Sequence, residues 1–313
     1  MLSQRQKARE TGESSDMPGV QLDFPPIANG VDYLVGVVDH LTADEVGPRE
    51  LKYAVLHLHA AAEVLLKARL QREHWTLVFD DPRKATRRAF DSGNFQSCNI
   101  TDAVTRLKEI AQVTLTDNEQ NVLKGLGLDR NALQHYGLTH NARAVEARAG
   151  RALDFLVRFL DDELVPQLND DEMDAFPWGM CVRIKKGVKS ISVYRAERRK
   201  RLLGTLRDVK HRTLTCFECG ELALVVRDRC HFCSFPFGNF HPEHAADMYL
   251  ATRYRDAQKL ISNCPRCTRR ALGQGVVTVA SDGPVTFCFS CAVPVPVPDA
   301  QTGEPSATPE GRP

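Results

Sequence analysis

The sequence predicts an α+β fold in several domains: an all-helical N-terminal bundle, then small β-rich modules built around cysteines. Three observations carry that expectation. Apolar residues recur at helical spacing through residues 27–168, charge reverses from acidic to strongly basic just beyond them, and eight of the ten cysteines stand in Cys-x-x-Cys pairs between 216 and 291. The chain has 313 residues, enough for two or three domains, with 42% hydrophobic and 26% charged residues, as in ordinary soluble proteins. The net charge of +1 conceals its uneven distribution. No apolar run is long enough to span a bilayer, and the polar N-terminus lacks the apolar core of a signal peptide. A cytoplasmic protein with no membrane partner is expected, in a compartment where disulfides are rare.

Residues 1–26 read as a disordered N-terminus. Asn29 to Leu41 reads as a first helix. Pro48 suits a helix start and opens a stronger one. Its stripe of Leu51, Val55, Leu58, Ala62, Leu65 and Leu66 is that of a core-facing helix, ending near His74 or Trp75. Breaks at Asp80-Asp81-Pro82 and Ser92-Gly93-Asn94 make the next stretch irregular. A helix follows from Thr101-Asp102 to about Ile110. Thr116-Asp117 caps another, with Asp117 and Gln120 at capping-box spacing. Gly125 and Gly127 weaken that helix, Asp129 is placed to cap a short new one, and Gly137 to end it. A last long helix, from about Asn141 to Leu164, carries Ala149, Leu153, Leu156, Val157 and Leu160 and stops at Pro166. Residues 27–168 thus read as one helical domain.

Residues 169–213 read as an acidic hinge and a basic segment. Asp161-Asp162-Glu163 and Asp170-Asp171-Glu172 give way to a run of Lys and Arg from Arg183 to Arg212, opposed only by Glu197 and Asp208. Val182-Arg183-Ile184 and Ile191-Ser192-Val193-Tyr194 alternate like two strands around Lys185-Lys186-Gly187. Such a segment attracts polyanions, and Tyr194 and Phe217 are candidates to stack on bases. The alternative is a solvated surface that balances the acidic hinge.

The paired cysteines are Cys216/Cys219, Cys230/Cys233, Cys264/Cys267 and Cys288/Cys291. Two turns that each present two thiolates make a tetrahedral sulfur site suited to Zn²⁺, so two closed structural zinc sites are expected, with no catalytic metal. The spacing leaves open an interleaved pairing across the two sets. Module 1 spans 214–240, with Leu222-Ala223-Leu224-Val225-Val226 as its strand. Zinc ribbon 2 spans 260–293, with strands at Val276–Val279 and Val285–Phe287 joined by Ser281-Asp282-Gly283-Pro284. His231, His241 and His244 read as surface or packing residues, and Cys98 and Cys181 as ordinary thiols. Residues 294–313 read as a disordered tail.

Arg130-Asn131-Ala132-Leu133-Gln134-His135-Tyr136 places a permanent cation, an amide and a titratable imidazole within a short run. Arginine suits multidentate binding of phosphate oxygens, and histidine suits proton transfer near neutral pH. Together they can cleave an RNA phosphodiester without a metal. Positions 130 and 135 sit about 140° apart on an ideal helix, so they converge only through the reach of Arg, a short helix or a second chain.

This run resembles the signature of the HEPN superfamily, whose nuclease members carry Arg, a polar residue and then His after a short spacer. In its kinase-extension nucleases Asn follows the Arg and Tyr follows the His. The resemblance covers residues 27–168. It implies a metal-independent endoribonuclease that leaves 2′,3′-cyclic phosphate ends, with Arg130, Asn131 and His135 in its site. It also implies a homodimer whose two motifs form a composite cleft. An early helix of such domains often carries an acidic residue that orients the motif Arg; Glu63 is the candidate, and an i,i+4 pair with Lys67 is its other reading. His57 and His59 share that helix and read as packing or surface residues. Some members act as toxins silenced by modification of a Tyr one residue further from the His than Tyr136. Others have lost catalysis and only bind nucleic acid or dimerise. The second function expected is therefore a non-catalytic nucleic-acid-binding or adaptor protein, its zinc ribbons docking RNA or a protein partner.

Overall fold

A computed structural model of the chain describes residues 24–136 and 141–296. The disorder expected at 1–26 and 294–313 falls largely outside these residues, as does the role of Gly137, but Pro26 already begins the first helix and Pro294 still belongs to the last strand. The fold is α+β, helical in its N-terminal part, with small antiparallel sheets and two cysteine clusters toward the C-terminus. Among the described residues no helix is long and apolar enough to cross a membrane.

Helices α1 (Pro26–Leu41) and α2 (Pro48–Glu73) each open on a proline, whose missing N–H is no loss in a first turn. The apolar stripe of α2 is fully buried, and α2 is the central post against which α1, α4, α5 and α6 pack. It ends at His74, where the backbone becomes extended. A short α3 (Arg87–Ser92) stops at Gly93, which adopts a left-handed φ of 68°. Asn99 caps α4 (Ile100–Glu109) by accepting the Asp102 N–H at 2.9 Å.

Helix α5 (Asp117–His135) departs from expectation at two points. Its capping box joins Thr116 to Glu119, not Asp117 to Gln120. It also runs through Gly125, Gly127 and Asp129 without a break. Asp129 caps nothing: it is 3% exposed and receives Arg148 from α6. A carboxylate satisfied by a neighbouring helix has no call on its own backbone N–H groups. Burial of Val122, Leu123 and Leu126 offsets the roughly 1 kcal/mol that each helical glycine costs. Asn141 caps α6 (Ala142–Phe159), which passes through a wide turn at Leu160–Leu164 and a tight one at Val165–Gln167 that holds Pro166.

The strands expected at 182–184 and 191–194 are replaced by helices. After α7 (Asp170–Ala175) come α8 (Trp178–Gly187) and α9 (Ser192–Thr205). Cys181 and Ile184, continued by Val188 just past the helix, form the buried stripe of α8, and Tyr194, Arg198 and Leu202 that of α9. Alternation over three or four residues cannot separate a period of 2 from one of 3.6, and the longer stripe decides. Helix α8 packs on α1 and α9 on α6. The α6–α9 approach is close: a Cβ on Gly150 would stand 3.0 Å from the Val193 backbone and side chain.

Beyond α9, β1 (Thr213–Thr215) pairs antiparallel with β2 (Leu222–Val225). Helix α10 (Pro242–Ala251) leads to an antiparallel sheet in the order β3 (Ile261–Ser262), β4 (Leu272–Val276), β5 (Val285–Cys288), β6 (Val293–Pro294). The first strand of ribbon 2 therefore starts earlier than Val276, because the turn after Cys267 sends the chain directly back into the sheet. Thr278 instead bridges to Leu214, tying the two modules together.

Candidate metal centres and a cleft on the helical bundle

The two cysteine sets do not interleave. Cys216, Cys219, Cys230 and Cys233 form one cluster and Cys264, Cys267, Cys288 and Cys291 the other, with the sulfurs of each cluster within 4.8 Å of one another. Four sulfurs at about 2.3 Å from a zinc stand about 3.8 Å apart in a tetrahedron. The observed pairs lie at 3.8 Å (Cys216–Cys233), 3.7 Å (Cys219–Cys230), 4.0 Å (Cys264–Cys291) and 3.7 Å (Cys267–Cys288). Either cluster could hold a zinc ion.

All four Cys-x-x-Cys turns are built alike. The residue after the second cysteine has positive φ: Gly220 (74°), Ser234 (62°), Thr268 (60°) and Ala292 (58°). Its N–H donates to the carbonyl of the first cysteine at 2.7–2.8 Å in every case. This left-handed step lets both thiolates of a turn face one point. The four protein ligands leave no open position, so these centres suit structure rather than chemistry. His231 is held by Asp228 at 2.9 Å and belongs to neither cluster. Cys98 and Cys181 are buried, and burial pushes both thiols up, Cys181 to about 11, consistent with inert packing.

A cleft of about 610 Å³ opens where α2, α4 and α5 meet. Helix α2 contributes His59 and Glu63, the start of α4 contributes Asn99, Thr101 and Thr105, and α5 contributes Gln120, Lys124, Arg130 and Asn131. Arg130 donates to the Asn131 side-chain oxygen at 2.9 Å, so the amide steers the guanidinium. Glu63 lines the same cleft but makes no hydrogen bond to Arg130. It accepts from Lys67 at 2.6 Å, and Lys67 also donates to Ser97 at 2.8 Å. Its other oxygen lies 3.9 Å from His59 Nδ1. His135, in the last turn of α5, is exposed and stands outside the cleft lining, its ring 6.1 Å from that of Tyr136. The structure thus gathers Arg130, Asn131 and Glu63, adds His59 and Lys124, and leaves His135 further along the helix. The signal for His59 was its i,i+4 spacing to Glu63.

The basic segment spends much of its charge internally. Arg195 and Arg199 both bond Glu221, and Arg198 and Arg201 both bond Asp154. Lys185 meets Asp161 and Arg183 meets Asp39. Burial would raise the Glu221 carboxyl, but Arg199 and Arg195 outweigh it and hold it below the usual range. The acidic residues are tied down as well: Arg72 grips Glu172, and Ser234 donates to Asp161. Tyr194 is 1% exposed and cannot stack on a base, while Phe217 packs edge-on against Phe235 and Phe237. Comparison with protein-family models, curated proteins and solved structures finds no match for this chain.

Proposed function

We propose that this chain is a cytoplasmic, metal-independent endoribonuclease of the HEPN type that cleaves RNA to 2′,3′-cyclic phosphate and 5′-hydroxyl ends. One observation carries the reading: Arg130, steered by Asn131, projects into a polar cleft with Lys124, on the helix that ends in an exposed His135. Arg130 binds the scissile phosphate and stabilises the charge that builds on its oxygens. His135 transfers a proton. A second copy of the chain completes the site. In support, Leu128 is 71% exposed and lies seven residues before His135, on the same helix face. Residues 27–168 form the catalytic unit, residues 169–213 fasten it to the C-terminal part, and the two zinc-held modules dock RNA or a partner.

The test incubates zinc-loaded protein with end-labelled single-stranded RNA, without magnesium, beside His135→Ala. Cyclic-phosphate products from the wild type alone are expected; equal cleavage by the variant would sink the assignment. A second reading, a non-catalytic adaptor that uses the bundle to dimerise, is favoured by the position of His135 outside the cleft that holds Arg130. It predicts salt-sensitive RNA binding with no cleavage.

A further inference from the structure

We infer that His59 is a second catalytic residue of this site, the general base that takes the 2′-hydroxyl proton of a bound RNA strand. The inference rests on the reading of the cleft as a ribonuclease site. Its ground is the arrangement of α2 against α5. The two ring nitrogens of His59 have different surroundings. Nδ1 faces Glu63, 3.9 Å from its carboxylate. Nε2 faces α5, where it would stand 3.9 Å from a Cβ on Gly127. Arg130 lies three residues beyond Gly127, on the same side of α5. The absent side chain at Gly127 leaves room between the imidazole and the guanidinium. Asn99, Thr101, Thr105 and Lys124 line the same cleft, a set of donors and acceptors suited to a sugar-phosphate strand.

A histidine that only fills a helix interface is ordinarily apolar-packed or fully hydrogen-bonded. Among the described residues no hydrogen bond reaches either ring nitrogen of His59, although its side chain is only 13% exposed. The Glu63 contact is too long for a hydrogen bond but close enough to tighten when substrate closes the cleft. Glu63 is itself held in place through Lys67 and Ser97. The charged groups facing His59 are Glu63 and Lys67 from α2 and Arg130 from α5, with Lys124 in the same cleft; those of α4 are uncharged. Burial first, then Arg130 and Lys67, favour the neutral ring, and Glu63 partly opposes them. A neutral imidazole at working pH is the form a base requires.

The step balances without another reactant. The 2′-hydroxyl proton passes to His59 Nε2 as the 2′-oxygen bonds to phosphorus. The bond from phosphorus to the 5′-oxygen breaks, and protonated His135 of the second copy that completes the site gives that oxygen its proton. Glu63 acts as a positioning residue, holding the ring with Nε2 toward the cleft.

The experiment compares wild type, His59→Gln, Glu63→Gln and His135→Ala on two substrates. One is single-stranded RNA and the other uridine 3′-(4-nitrophenyl phosphate), whose leaving group needs no acid. Loss of a general base slows both, by at least about 100-fold. Loss of a general acid is relieved on the activated ester. His59→Gln should therefore be impaired on both, and His135→Ala on RNA alone. Glu63→Gln should move the acid limb of the rate profile to lower pH, since the group that raises the His59 pKa is gone; a merely structural residue would not move it. Circular dichroism and zinc content check folding, and if His59→Gln does not fold, the pH shift in Glu63→Gln carries the test. Wild-type rates from His59→Gln would overturn this inference and leave Arg130 and His135 in place. An inactive wild type would overturn both readings.

Discussion

Replacing Arg198 with alanine should loosen the first cysteine module from the bundle by an amount the structure allows one to bracket. Arg198 is 5% exposed. It donates to Asp154 at 3.1 Å and to the His231 carbonyl at 3.0 Å, and lies 5.7 and 5.6 Å from the rings of Tyr194 and Phe232. Removing one partner of a buried pair costs about 3–5 kcal/mol, mostly because the other charge is stranded. Here Arg201 still holds Asp154 at 2.8 Å, so the loss falls at the low end, about 3 kcal/mol. At about 1.4 kcal/mol per decade, that makes local opening roughly 100-fold easier. Arg198→Met keeps the packed stem between the two rings and should cost less. Asp154→Ala strands the buried Arg198 together with Arg201 and should cost more, about 4–5 kcal/mol. Urea unfolding followed by the fluorescence of Trp75 and Trp178, with zinc release followed by a colorimetric chelator, reads both the bundle and the module. An Arg198→Ala cost below about 1 kcal/mol, or a milder Asp154→Ala, would refute the assignment of Arg198 as the buried fastening.

Three further outcomes are expected. The purified chain should carry two zinc ions, one per cluster, and Cys288→Ser should lower the ratio to one while leaving the first module loaded; atomic absorption counts them. Gly220→Ala should destabilise by about 1 kcal/mol, since its φ of 74° is strained for any side chain although the space is open, and Ala292→Gly at 58° should stabilise by a similar amount; thermal melts of the zinc-loaded protein decide. Stability should fall on acidification. Burial lowers the pKa of His57, helped by His40 and opposed by Asp32, so the folded protein binds fewer protons there than the unfolded chain. That stability is complete above the ordinary value of 6.5 and is lost as pH falls through the folded value; the depressed Glu221 carboxyl acts in the same direction in its own, lower range. A melting temperature that rose from pH 7.5 to pH 5.5 would contradict this.

What could be seen in the sequence depended on how local each signal was. The cysteine clusters were legible because ligand spacing is a property of single turns, and the stripe of α2 because the sixteen residues from Leu51 to Leu66 carry several helical periods. That the two sets do not interleave was not legible, since it depends on how β1, β2 and the second sheet fold back. Asp129 misled because a capping carboxylate and one paired to another helix look alike until Arg148 is placed. The strands expected at 182–184 and 191–194 came from windows too short for α8 and α9 to show their period. Arg130, Asn131 and Glu63 were found as candidates, and the i,i+4 pair of Glu63 with Lys67 was legible within α2 itself, but that this pair is formed, with no bond to Arg130, follows only from how α2 sits against α5.

The two arginine pairs of α9 hold different carboxylates. Arg195 and Arg199 take hold of Glu221 in the cysteine module, while Arg198 and Arg201 take hold of Asp154 in α6. A helix that answers to both sides makes the C-terminal part hard to exchange. Cutting the chain at residue 213 would leave two guanidiniums without their carboxylate and would uncover the face of Tyr194 that now meets Phe232. Grafting a different metal-binding module in its place would require a matching acid at the position of Glu221. The two ends of this protein are thus expected to change together, residue for residue, rather than to be shuffled as separate parts.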